Sequence, residues 1–180
     1  TAMLGWVLEQ LALDPSVVNG APLLQWRAED RLGSTRVGQG EICVVETDES
    51  HRSLLLFQPE WSILTNISTD HFDLTETRVL FERFGRQTRR GVVDLTRGGI
   101  RPEGQPRYGA RGSRFRYRGT EFTVNLPGAH NVANAVAAIE LCERLGLDPE
   151  AVSRALAAFR GIARRLEWVG EAAGVHVIDD

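Results

Sequence analysis

The sequence predicts an α/β protein, with a mostly parallel β-sheet flanked by helices and a small antiparallel β layer beside it. Three observations predict it. Residues 41–46 and 61–67 are short apolar-rich runs, each followed by a helical pattern, at 53–57 and 74–88. Residues 114–118 alternate arginine with Phe115 and Tyr117, the period of a half-exposed strand. Residues 130–145 form an alanine-rich helical stretch stopped by Gly146. At 180 residues the chain has one domain's length and needs no staple to bury a core.

Taken in order, residues 1–13 carry helical spacing at Met3, Leu4, Val7, Leu8 and Leu11, ended by Asp14 and Pro15. Val17 and Val18 form a short strand before Gly20, and 20–40 read as loop or weak strand. Ile42, Cys43, Val44 and Val45 make a continuous apolar run, the pattern of a strand buried on both faces of a parallel sheet. With the strand at 61–67 and the two helices, 41–88 reads strand, helix, strand, helix, with right-handed crossovers. Residues 91–126 are expected to form the antiparallel layer: a strand at 91–95, loop over 96–105, then a hairpin of 114–118 with 121–126. Arg114, Arg116 and Arg118 are expected on its solvent side. Beyond 130–145, Asp148 and Pro149 cap a further helix to about residue 159, stopped by Gly161. Residues 166–170 and 175–178 form two strands joined by a short turn.

All 21 basic residues are arginine, which excludes a phosphate-loop, Schiff-base or carbamylated lysine from this chain. Net charge is −3, but residues 83–118 hold eleven arginines against Asp94 and Glu103, a local balance of +9. Such blocks signal either a polyanion partner or a solvated face. Cys43 and Cys142 match no metal or redox spacing and read as small buried hydrophobes. No apolar run approaches the roughly 18 residues of a membrane span, so a cytoplasmic protein is expected. The chain starts at Thr1 and stops straight after an apolar strand, so a fragment cut at both ends is expected.

Glu46, Asp48 and Glu49 cluster at the carboxyl end of the first buried strand, and Asp70, His71 and Asp73 just beyond the second. Ligands of open α/β sheets bind outside the carboxyl ends of strands, where carboxylates and an imidazole suit Mg²⁺. The same residues also serve as solvated loop acids, with Asp70 or Asp73 as a helix cap. Asn131 and Asn134, three apart at the opening of a helix, share a face and have the donor–acceptor pair that reads an adenine edge; capping is the equal alternative for Asn131. Arg164 and Arg165 precede a strand and present forks suited to phosphate, or to bulk solvent.

These segments in this order, Glu46 to Ser50, Thr65 to Asp73, Pro127 to Asn134, Gly161 to Arg165 and Val177 to Asp180, resemble the ATP-binding central domain of the Mur ligases over nearly the whole chain. The resemblance implies a P-loop-NTPase-like sheet, ATP and Mg²⁺ as cofactors, and a place in peptidoglycan precursor synthesis. By position it implies Glu46 and His71 as metal ligands, Asn131 and Asn134 beside the adenine, Arg165 near the γ-phosphate and Asp180 at the ribose. It implies catalytic roles for Arg165 and His71. The branch it most resembles joins L-alanine to UDP-N-acetylmuramate through an acyl phosphate, and the absence of lysine fits that branch. It also implies that the family's phosphate loop and carboxyl-terminal domain lie outside residues 1–180, leaving this segment inactive alone. The competing readings are the related ligase that recycles tripeptide, and a non-catalytic module whose +9 segment grips nucleic acid. A solvated face is preferred for that segment, with no nucleic-acid and no membrane partner expected.

Overall fold

The computed structural model describes residues 1–67 and 73–180. Helix α1 (Ala2–Gln10) buries Met3, Leu4, Val7 and Leu8. The chain then turns through left-handed Ala12 and Asp14 before Pro15. Strand β1 (Ser16–Val18) pairs antiparallel with β2 (Thr35–Arg36) and parallel with β3 (Cys43–Val45). A 3-10 turn (Ser50–Leu56) leads to β4 (Trp61–Leu64), which pairs parallel with β5 (Gly91–Asp94), Trp61 opposite Gly91. Between them runs α2 (Leu74–Gln87), capped by Asp73, whose Oδ1 accepts from the Thr75 and Glu76 N–H groups at 2.8 Å.

Four expectations are corrected here. β3 is not buried on both faces: it is the outer strand of the order β2–β1–β3, so Cys43 and Val45 are exposed and Val44 alone turns inward. Of the two cysteines only Cys142 is buried, and burial pushes its thiol up to about 12. Residues 91–94 belong to the parallel pair rather than the antiparallel layer, because the α2 crossover returns the chain alongside β4. Among the described residues the two parallel pairs are separate sheets, not one.

The antiparallel layer is β6 (Glu103–Gly109), β7 (Gly112–Tyr117) and β8 (Thr120–Val124). β6 has no sequence signature because Gly104 and Pro106 interrupt it, and the register shift between Glu103 and Arg107 absorbs both. β7 and β8 follow their period of two: Ser113, Phe115, Tyr117, Phe122 and Val124 point inward, while Arg114 and Arg116 face solvent. This inner face packs with α1, α3 (Ala129–Arg144) and α4 (Pro149–Ala157) in one core, with Phe115 and Phe122 stacked at 5.7 Å. Asp148 caps α4 by accepting the Ala151 N–H at 3.0 Å. A terminal hairpin of β9 (Glu167–Ala172) and β10 (Val175–Asp179) completes the chain, with β10 exposed throughout.

Arg118 departs from its expected place on the solvent face. It sits at the β7–β8 turn with φ 47° and reaches back to α3, pairing with Glu140 and Glu143 at 2.7 Å. The buried Glu140 carboxylate also accepts from Tyr117 Oη at 2.5 Å and Arg144 Nε at 2.9 Å. Arg144 in turn donates to the Val92 carbonyl at 3.2 Å and lies over the Trp61 ring. Part of the +9 stretch is therefore balanced by acids outside it: Arg118 by Glu140 and Glu143, and Arg89 and Arg90 by Glu60. Burial alone would raise the Glu140 carboxyl, but Tyr117, Arg144 and Arg118 outweigh it and hold it below the usual carboxylate range. Burial, then the bond to Glu140, pushes the Tyr117 phenol up to about 12.

Glu140→Ala is expected to cost about 3–5 kcal/mol in urea unfolding, because it leaves two guanidinium groups without their buried partner. The Glu140 contribution is present above the ordinary carboxylate range and fades as pH falls through its lowered value. The Tyr117 contribution is intact below 10 and fades as pH rises toward about 12. Wild-type stability measured against pH should fall at both ends, and Glu140→Ala should flatten the acid side.

Candidate functional site

The carboxyl end of β3 delivers Glu46. Its N–H donates to the Val18 carbonyl at 2.9 Å, extending the ladder with β1, and its carboxylate accepts the Gly20 N–H at 3.2 Å. A Cβ at residue 20 would lie 2.9 Å from Glu46 Oε1, so glycine there lets the carboxylate approach. Thr47 shares the wall of a cavity of about 60 Å³ with Ser62, Ile63 and Leu64, which sets the segment after β3 beside β4. Asp48 closes a local turn, accepting from the Ser50 N–H and hydroxyl. Asp73 is the α2 cap, and Asp70 and His71 lie outside the described residues. Among the described residues no three His, Cys, Asp or Glu side chains gather as a metal site.

The two asparagines divide. Asn131 is buried and its Nδ2 donates to the Pro127 carbonyl at 2.8 Å, so it shapes the turn before α3, while Asn134 is exposed. The Gly161–Arg165 motif is held from two sides. The Leu24 N–H donates to the Gly161 carbonyl at 3.1 Å and the Ala163 N–H to the Pro22 carbonyl at 2.8 Å. Gly161 has φ 99°, and a Cβ there would meet Leu126 at 3.0 Å, so this motif abuts the residues leading into Pro127. Arg164 and Leu166 are both left-handed, at φ 55° and 51°. Glu167 Oε2 accepts the Arg164 N–H at 3.0 Å and Asp180 Oδ1 accepts the Leu166 N–H at 3.1 Å. Arg165, between them, is exposed and makes no hydrogen bond or ion pair among the described residues.

The loop from Asn19 to Leu24 thus joins Glu46 on one side to Gly161 and Ala163 on the other, and Gly161 joins these to the α3 entry. Sequence reasoning treated that loop as connection only; Gly20 and Pro22 were its visible signal. It also missed a cavity of about 610 Å³ at the carboxyl ends of β4 and β5, lined in part by Thr65, Leu95, Arg101, Tyr108, Ala133 and Val136. Arg101 and Tyr108 had no signal, because the strand that carries Tyr108 was itself illegible. Main-chain contacts thus link the segments that carry a strand-end carboxylate, an exposed guanidinium and an exposed amide, three groups that suit an anionic ligand with a polar ring.

The UDP-N-acetylmuramate–L-alanine ligase of Synechocystis is 35% identical to this chain along its whole length. The enzyme of the same name from Sorangium cellulosum is 34% identical, again over the whole chain. The crystal structure of UDP-N-acetylmuramate–alanine ligase from Thermotoga maritima superposes with a TM-score of 0.84 at 30% identity, covering 99% of this chain and 46% of that one. The chain belongs to the Mur ligase family. It is also similar, at TM-score 0.72 and 22% identity, to a Neisseria ligase that joins a tripeptide to UDP-N-acetylmuramate, a likeness of fold. No family model matches the chain. This Mur ligase segment spans about 40% of the length of the curated relatives it matches. No helix among its described residues is long and apolar enough to cross a membrane.

Gly161→Ala in this Mur ligase segment is expected to cost on the order of 1–3 kcal/mol, since alanine is strained at that φ and presses on Leu126. Urea unfolding should show it as a lower midpoint at unchanged slope.

Proposed function

We propose that this chain is the nucleotide-handling segment of a cytoplasmic, ATP-dependent ligase that joins L-alanine to UDP-N-acetylmuramate. The observation that carries the reading is the junction at residues 19–24, which gathers Glu46, the Arg165 loop and the α3 entry, in a chain matched end to end by relatives of that name. Identity of 30–35% to alanine-adding relatives, against 22% to the tripeptide ligase structure, favours L-alanine over the recycled peptide.

The substrate carboxylate attacks the γ-phosphorus of ATP, the bond to the β–γ bridging oxygen breaks and ADP leaves; the neutral alanine amine then attacks the acyl carbon, gives up a proton and expels inorganic phosphate, leaving the amide. Two anions must meet for the first step, so the chain's task is to hold charge in place. Arg165 presents a fork to the transferred phosphoryl group, and with no hydrogen bond or ion pair among the described residues its donors are left for that purpose. Asn134 offers its amide to the adenine, while Asn131 acts one step removed by fixing the Pro127 turn. Asp180 reaches the ribose from the end of the terminal hairpin. The Glu46 carboxylate has one oxygen on the Gly20 N–H and lone pairs left over, a hard oxygen donor that fits Mg²⁺; with His71 it would hold that ion. Mg²⁺ bound there supplies neutralisation of phosphate charge.

In the full-length ligase, Glu46→Gln keeps the shape and removes the counter-charge. Turnover at saturating ATP and Mg²⁺ is expected to drop by about a hundredfold or more, the scale of losing one electrostatic stabiliser. Near-normal turnover would remove Glu46 from the site. The 180-residue chain alone is expected to release no phosphate from ATP, having no lysine to set against the β- and γ-phosphates; steady phosphate release would refute that.

A further inference from the structure

We propose that Glu167 is a positioning residue that holds Arg165 in the orientation in which it meets the nucleotide phosphates, an inference that rests on the role given to Arg165 above. Arg165 stands between two non-glycine residues in the left-handed region, Arg164 at φ 55° and Leu166 at φ 51°. Neither side chain favours that backbone, so the loop does not hold itself. Relaxing either residue would swing Arg165 to a new direction. Its own guanidinium has no internal partner to resist this, since Arg165 makes no contact of that kind among the described residues.

Two carboxylates take the load. Glu167 Oε2 accepts the Arg164 N–H at 3.0 Å, and Asp180 Oδ1 accepts the Leu166 N–H at 3.1 Å. Glu167 is the better fixed of the two. Its other oxygen lies 3.5 Å from Arg27 Nη1, and its side chain is only 19% exposed against 52% for Arg27. Arg27 follows the loop whose Gly20 holds Glu46 and whose Pro22 holds Ala163. The next residue, Trp168, is covered by Arg111 at 4.8 Å and packs against His176 at 4.9 Å. These contacts tie β9 down at the point where Glu167 leaves it, on a hairpin whose partner strand is exposed from end to end. Glu167 therefore acts through the backbone of Arg164 and does not touch the phosphates.

The test uses the full-length ligase. Glu167→Met removes the acceptor and keeps the bulk, Glu167→Ala removes both, and Glu167→Gln keeps an acceptor oxygen at the same reach. The first two are expected to lower turnover on the order of tenfold at saturating substrates, with the KM for alanine unchanged, and glutamine to retain most of it. In an Arg165→Ala background the Met and Ala changes are expected to add almost nothing, because the group they position is gone. Amide hydrogen exchange at Arg164 should speed up in the Met and Ala variants and not in the Gln variant. Multiplicative loss in the double variants would overturn the proposal, as would unchanged exchange at Arg164. Normal turnover of Arg165→Ala alone would overturn the role of Arg165 and the proposal with it, a result distinct from the exchange outcome.

Discussion

One buried carboxylate sets the geometry on which the rest depends. Glu140 lies in the middle of α3 with donors from three directions: Tyr117 in β7, Arg118 in the β7–β8 turn and Arg144 one turn along the helix. Through Arg144 the same group reaches the Val92 carbonyl in β5 and the face of Trp61 in β4. A charge in that position is tolerable only when every donor is in place, so the antiparallel layer, α3 and the parallel pair share one mutual arrangement. Apolar packing of Phe115, Phe122, Val136 and Ile139 supplies the bulk of the cohesion, but it is non-directional. The fork-and-carboxylate network is what fixes the rotation of α3, and with it the placing of Asn134 and of the turn that Asn131 ties to Pro127.

Most elements were legible because their periodicity is set by burial on one side. α2, α3, α4 and the β7–β8 hairpin follow from spacing and caps, while the exposed β9–β10 hairpin follows from its two short runs either side of a glycine-containing turn. The failures have physical causes. Cys43 and Val45 are apolar, and composition alone does not distinguish an outer strand from a central one. Residues 91–94 were grouped with the strands that follow them because pairing partners are set by crossovers, not by neighbours in sequence. β6 hides because a register shift lets glycine and proline stand inside a strand. Arg118 looked like one more member of an exposed alternation; the left-handed turn that sends it inward is a backbone event with no residue signature beyond the glycine after it.

The acidic residues show a second limit. Asp48, Asp73, Asp94, Asp148, Glu167 and Asp180 all accept backbone N–H groups in turns or at helix starts. In sequence, such a carboxylate at a strand end is indistinguishable from a metal ligand, because both tasks call for a short acidic side chain where the backbone leaves the sheet. Glu46 shares the first of these tasks, since one of its oxygens accepts the Gly20 N–H. The segment motifs were thus visible, whereas the junction at 19–24 that brings them together consists of main-chain contacts and carries almost no side-chain signal.

The arginine-only composition has a chemical consequence beyond its geometry. Arg144 serves Glu140, Val92 and Trp61 at once, which an ammonium group does not manage. An acyl phosphate is an acylating agent, and any neighbouring primary amine competes for it. No side chain in this segment carries one. The guanidinium groups that crowd the chain stay protonated and are poor nucleophiles at neutral pH. If the proposed reaction holds, an acyl phosphate formed against these residues meets guanidinium groups and no side-chain amine from residues 1–180, so none of these side chains competes with the amino acid for it.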